Sequence, residues 1–205
     1  MERLRAGRGF INFFAEEQTQ RDLGFFIVPA SLFQSLNSIF IVTLAPLFAW
    51  LWLKLGKYEP ASPTKMAWGL FLLALGYLWI AFGVKDVSAN IKVSMIWLTG
   101  MYFLHTCGEL CLSPIGLSLV NKLAPFKFAS LLMAVWFLVN AAANKLAGIL
   151  SALYPEKGKT TSFMGYEMHN MYEFFMLFVI MSGVAAAILF LITKKLQKMV
   201  HTGKE

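Results

Sequence analysis

A single carboxylate, Glu109, interrupts the otherwise uncharged stretch from Val93 to Asn121. Insertion scales put an acid at the centre of a membrane span at about 2.5–3.5 kcal/mol, and side chains that costly face a cavity or a partner. Taking a carboxyl out of water also penalises its charged form and can bring it into the range where it exchanges protons. Glu109 therefore reads as a group that binds or moves charge, against the alternative of a hydrogen-bonded structural glutamate. His105 and Ser113 stand four residues before and after it, near one helix face. Pro114 removes a backbone donor beside them, and Gly108 and Gly116 allow another backbone to come close. His105 is a candidate for sharing the proton; a packed imidazole is the other reading.

Two more segments carry polar groups at helical spacing. Gln34, Asn37 and Ser38 lie along one stripe, and amides in a span serve either as glue between helices or as ligand contacts. Trp136, Asn140 and Asn144 repeat every four residues, with Trp136 suited to lining a pocket or to packing a bundle. Lys145 is one residue off that stripe, and its long stem can carry the ammonium outwards. Cys107 and Cys111 share a helix face at a spacing that disfavours a disulfide, and a two-cysteine metal site lacks its other ligands. They read as small packing residues. No Gly-rich phosphate loop, HExxH or GxSxG pattern occurs, so neither a metalloenzyme nor a hydrolase is expected, and no metal ligand set is assigned.

The elements that position these groups follow from hydropathy. The chain has 205 residues, 58% hydrophobic and only 14% charged, where soluble domains carry about 25% charged residues. Uncharged runs of 31, 19 and 20 residues cover Leu23–Leu53, Met66–Val84 and Phe174–Thr193. Val93–Asn121 and Phe128–Pro155 hold one charge each. A spanning helix needs about 20 apolar residues. The expectation is an all-α, multi-pass membrane protein with five spans, at about 29–55, 64–83, 93–123, 128–154 and 170–195. Residues 1–22 form an N-terminal tail and 23–205 the five-helix bundle. Pro29 suits a first helical turn, Pro46 predicts a kink, and Ser62-Pro63 or Thr64 is the expected cap of the second span. The segment 155–169 is the longest and most polar connection. A soluble enzyme, a disordered chain, a disulfide-stapled domain and an outer-membrane barrel are excluded.

The net charge of +7 belongs with membrane orientation rather than with nucleic acid. Nine lysines fall on the side of the C-terminus and four on the other, which places the C-terminus in the cytoplasm. The four arginines of the N-terminal tail weaken that bias, and one more helix before residue 10 would restore it. Phe10–Ala15 is too short to span and reads as the end of a helix.

From Cys107 the chain runs Gly108-Glu-Leu-Cys-Leu-Ser-Pro-Ile-Gly-Leu-Ser118 and on to Pro125. This stretch resembles the tenth helix of the proton-dependent oligopeptide transporters, a branch of the major facilitator superfamily. Phe33-Gln-Ser-Leu-Asn-Ser-Ile-Phe-Ile41, continuing through Leu44-Ala-Pro46, is similar to the eighth helix of that family. Ala134-Val-Trp-Phe-Leu138, continuing to Asn144-Lys-Leu-Ala-Gly148, is similar to the eleventh, and Asn12-Phe-Phe-Ala-Glu-Glu17 to the end of the seventh. The resemblance covers nearly the whole chain but only the second half of a family member. It implies a five-helix part of the C-terminal six-helix bundle.

The resemblance implies a function and its residues. Glu109 and Asn37 match positions that bind the amino terminus of a peptide, Ser113 the serine beside the glutamate, and Trp136 a tryptophan lining a side-chain pocket. Glu109, with His105, is the expected proton-coupling pair, the proton being the coupling ion and no cofactor being involved. Ser38 departs from the pattern, standing where the family commonly has proline. The expected partners are di- and tripeptides, membrane lipid and a separate chain supplying the first half, with no nucleic acid. The expected place is the plasma or inner membrane. The alternative functions are a membrane interaction protein that regulates a full transporter, or a fragment without activity. No enzyme activity is expected.

Overall fold

The structure is a computed structural model and describes residues 10–22, 24, 26–85, 92–123, 126–154, 161–163 and 165–202. Five long helices account for most of them: α1 (Ala30–Leu55), α2 (Ser62–Val84), α3 (Met95–Leu123), α4 (Ala129–Ser151) and α5 (Met171–Thr202). Among the described residues, four helices are long and apolar enough to cross a membrane: α1 with the turn after it, α2, α4 and α5 to Thr193. The chain is an all-α membrane protein. The expected segments 1–9, 86–91, 124–125, 155–160 and 203–205, with most of the N-terminal arginines, lie outside the described residues.

The helix ends follow local chemistry. Pro29 sits just outside α1 in an extended conformation and Gly56, at φ 48°, closes it by donating to the Trp52 carbonyl. A left-handed residue at that position is easiest for glycine. α1 runs uninterrupted through Pro46. α2 begins at Ser62, two residues before the expected Thr64, and Ala61, which has no capping side chain, precedes it. Pro63 occupies its first turn, where an amide proton has no helical partner to lose. α3 starts at Met95 rather than 93, because Val93 and Ser94 pair as a strand. α4 stops at Ser151, short of 154, and α5 continues to Thr202, past 195. Asn170 caps α5: its Oδ1 accepts from the Glu173 amide at 2.9 Å, while the Glu173 carboxylate accepts from the His169 amide at 2.6 Å.

Among the described residues, two small sheets connect the helices. β1 (Thr19–Gln20) pairs in parallel with β2 (Val93–Ser94), and β3 (Thr161–Phe163) pairs antiparallel with β4 (Tyr166–Met168). The second is a hairpin inside the segment expected as polar connection. Ahead of β1, a short helix at Phe10–Phe13 continues into a π-helical turn at Phe14–Gln18.

α2 lies along both α3 and α5 and makes most of the helix–helix contact; α1 rests on α3, and α4 touches α3 lightly. The α2–α3 seam is built from glycine. Gly69, Gly76 and Gly83 recur every seven residues on α2, the repeat that keeps one face of a helix against its neighbour. A Cβ on Gly69 would stand 2.7 Å from the Gly108 carbonyl oxygen, and one on Gly108 2.7 Å from that of Gly69. Gly76 is filled by His105 and Gly83 by Trp97. The buried apolar core lies towards the end of α2, the start of α3 and the start of α5, where Phe14, Ile80, Leu98, Met101, Met168 and Phe174 are almost fully buried. Phe14 and Phe175 meet edge to face at 5.5 Å there. At the other end Lys65 pairs with Glu59 and lies over the Trp52 ring at 4.4 Å.

Candidate functional site

α3 carries the site along one stripe. Phe33, Asn37 and Phe40 form the stripe by which α1 leans on it: Phe33 is buried, and Phe40 meets Phe103 edge to face at 5.6 Å. Between them the Asn37 Nδ2 donates to Glu109 Oε2 at 3.3 Å. Two residues 72 apart in sequence are thereby joined across the α1–α3 contact. The Asn37 carbonyl oxygen accepts from the Thr106 hydroxyl at 2.6 Å. Glu109 is exposed, Asn37 half-buried and Thr106 fully buried. A carboxylate with one oxygen held by an amide retains lone pairs for a cation arriving from the open side.

Ser113, one turn further along α3, is exposed, and its hydroxyl makes no hydrogen bond among the described residues. The Trp136 ring of α4 lies against Gly116, three residues beyond Ser113, in space that any side chain on Gly116 would take. Trp136 is half-buried, and its carbonyl accepts from Asn140 Nδ2 at 2.8 Å. Asn37, Glu109, Ser113 and Trp136 thus follow one another along a single face of α3, with α1 meeting it at one end and α4 at the other. Asn37 and Glu109 touch; Ser113 and Trp136 are neighbours along the same face.

His105 goes elsewhere. Its ring lies against Gly76 and 4.6 Å, centre to centre, from Tyr77, both on α2. Although it is four residues from Glu109, it belongs to the α2–α3 seam. Asn144 and Lys145 are exposed on α4, and Cys107 and Cys111 are free thiols buried in the bundle. Trp79 and Trp97 pack together at 4.7 Å beside Gly100 and Gly83.

Reading the sequence alone misses Thr106. Its signal is a hydroxyl three residues before Glu109 in an apolar helix, which puts it on the same face. A cavity of about 290 Å³ also went unforeseen, lined by Asn12, Gln34, Tyr77, Tyr102 and Ser151 among others. Gln34 and Tyr102 are one turn before Asn37 and Thr106, so this cavity adjoins the site. Among the described residues no cluster of His, Cys, Asp and Glu could hold a metal ion.

The sequence profile described as the POT family matches residues 7–167. The uncharacterized transporter YclF of Bacillus subtilis is 40% identical over 157 residues, which is 77% of this chain and 32% of that protein. Dipeptide and tripeptide permease A of Escherichia coli is 30% identical over 190 residues, 92% of this chain and 37% of that protein. The crystal structure of a mutant peptide transporter POT in complex with alafosfalin superposes with a TM-score of 0.81 at 36% identity, covering 92% of this chain and 36% of that one. The chain spans about a third of the length of the relatives it matches.

Proposed function

Because the chain belongs to the POT family and is an all-α membrane protein, we propose that it forms one wall of the central cavity of a proton-coupled di- and tripeptide symporter, the wall that receives the amino terminus of the peptide. The observation that carries this reading is the hydrogen bond from Asn37 to Glu109 across two helices on an exposed face. A peptide ammonium leaving water needs an anion and neutral acceptors to replace its hydration. Glu109 supplies the charge, Asn37 fixes the carboxylate, Ser113 offers a hydroxyl one turn away, and Trp136 presents an apolar surface to a side chain. Glu109 handles the coupling proton, and no cofactor takes part.

The reading also includes partners. The chain sits in the plasma or inner membrane against lipid, with its C-terminus in the cytoplasm on the nine-to-four lysine bias. A second bundle covers the exposed face and supplies the cations for the peptide carboxylate. Alternating access requires two bundles that rock about a site at the membrane midplane.

Uptake of a labelled dipeptide into proteoliposomes, driven by an inward proton gradient, tests this. The 205-residue chain alone gives no uptake. Adding a first-half bundle of the same family restores it, and Glu109→Gln then abolishes it. Accumulation by the purified chain alone, or full uptake with Glu109→Gln, overturns the reading.

A further inference from the structure

Thr106 is fully buried on α3, and its Oγ1 lies 2.6 Å from Asn37 Oδ1 and 2.8 Å from the Tyr102 carbonyl oxygen. Both neighbours are acceptors, and a threonine hydroxyl has one proton to give. In a helix interior that proton ordinarily returns to the carbonyl four residues earlier. Asn37 decides otherwise here. An ionised carboxylate only accepts hydrogen bonds, so the Asn37 amide must turn its NH2 group towards Glu109. Its oxygen is then aimed at the hydroxyl of the fully buried Thr106, 2.6 Å away, and takes a donor there. Thr106 provides it, while the Tyr102 carbonyl keeps its position in the helical ladder.

We propose that Thr106 is a positioning residue whose hydroxyl sets the direction of the Asn37 amide and hence the donor that Asn37 presents to Glu109. The three groups form a chain of aligned bonds: Thr106 O–H to Asn37 O=C, and Asn37 N–H to the Glu109 carboxylate. The direction of that chain follows the proton on Glu109. When Glu109 is protonated its O–H donates to Asn37 Oδ1. The turned Asn37 NH2 then donates to Thr106 Oγ1, and the Thr106 proton returns to the Tyr102 carbonyl. The Asn37 oxygen and the Thr106 hydroxyl are paired in both directions, and rotation of one amide connects them. Aligned bonds ending on a charge reinforce one another more than neutral ones do.

Few other charges stand near this chain. α1 carries only Lys54, in its last turn, and α4 only Lys145. α2 brings Lys65, which is paired with Glu59, and the phenol of Tyr77. On α3 itself His105 faces α2.

This inference deepens the reading of Glu109 as the charged group of the peptide site and rests on it. The side-chain NH2 resonances of Asn37 report the amide directly. They are read in the 15N-labelled full chain in detergent and assigned by their loss in Asn37→Ser. Glu109→Gln and Thr106→Val each move these resonances, and Thr106→Ser returns them to the wild-type positions. Resonances that ignore Thr106→Val but respond to Glu109→Gln overturn the positioning role, as does Thr106→Ser behaving like Thr106→Val. Dipeptide binding to the two-bundle assembly separates the two readings. Thr106→Val weakens it about five- to tenfold and Thr106→Ser leaves it within about twofold. A wild-type assembly that binds no dipeptide sinks the peptide site and leaves the amide result standing. Normal binding in Thr106→Val, with unmoved resonances, sinks only the positioning role.

Discussion

α2 and α4 are both 23 residues long and both apolar enough to cross a membrane, yet they are held in opposite ways. Ten residues of α2 are buried, and of α4 only Leu150. Eight large apolar side chains of α4, among them Leu131, Phe137, Leu138 and Ile149, are exposed. α1 is like α4, with Phe33 its one buried residue. Hydropathy does not separate the two kinds of helix, because lipid, a second bundle and a protein core are alike in polarity. Small residues do. α2 carries glycine every seven residues against α3, whereas a Cβ on Gly148 of α4 would find nothing within 4 Å. The residues proposed to meet the peptide are shared between the lightly held helices, Asn37 on α1 and Trp136 on α4, and the outer face of α3. A wall that must yield to a ligand is drawn from the less stable part of a fold, while α2, α3 and α5 supply the frame.

Single substitutions test this contrast. Gly108→Val pushes two backbones apart at the seam and has nowhere to relax; it lowers stability by about 3 kcal/mol or abolishes folding, read by thermal unfolding in detergent. A stable Gly108→Val chain would show that the seam is not what holds the frame. Gly116→Ala displaces only the Trp136 ring, the contact that ties α4 to the site. It lowers stability by about 1 kcal/mol, and protease cleavage within α4 becomes faster while α2 stays protected. Gly148→Ala fills open space on α4 and improves its helix propensity, leaving stability unchanged or raising it by up to about 1 kcal/mol. A loss as large as that of Gly108→Val would mean that α4 is as tightly packed as α2.

Much of this was legible in the residues, and the parts that were not have physical reasons. The five long helices follow from run lengths, since an apolar stretch of that length has few other solutions. Their ends moved by a few residues where pairing between distant segments decided, as at Val93 and Ser94. The β3–β4 hairpin lies in a segment whose polarity gave no strand pattern. Glu109 and Asn37 were found because polar groups stand out in an apolar span. Their contact was legible only through the family resemblance, since 72 residues separate them. Thr106 was missed because a threonine in such a span is ordinarily satisfied by its own helix. His105 shares a helix face with Glu109, but the glycine that accommodates its ring, Gly76, is on another helix and invisible to spacing along α3.

The parallel pairing of Thr19–Gln20 with Val93–Ser94 has a mechanical side. Thr19 is fully buried and its hydroxyl is fastened to the Phe14 carbonyl at 3.1 Å, so the segment ahead of α1 is clamped to the strand from which α3 starts. From there to Glu109 α3 is a rod of about 20 Å at 1.5 Å per residue. Two paired residues at its root, and the side-chain bonds of Asn37 with Thr106 and Glu109 near its middle, tether it to chain that precedes it in sequence. Gly108, beside Glu109, is locked against Gly69 of α2, so clamp and seam hold the rod at two points, and a tilt of the N-terminal segment must carry α2 and α3 together.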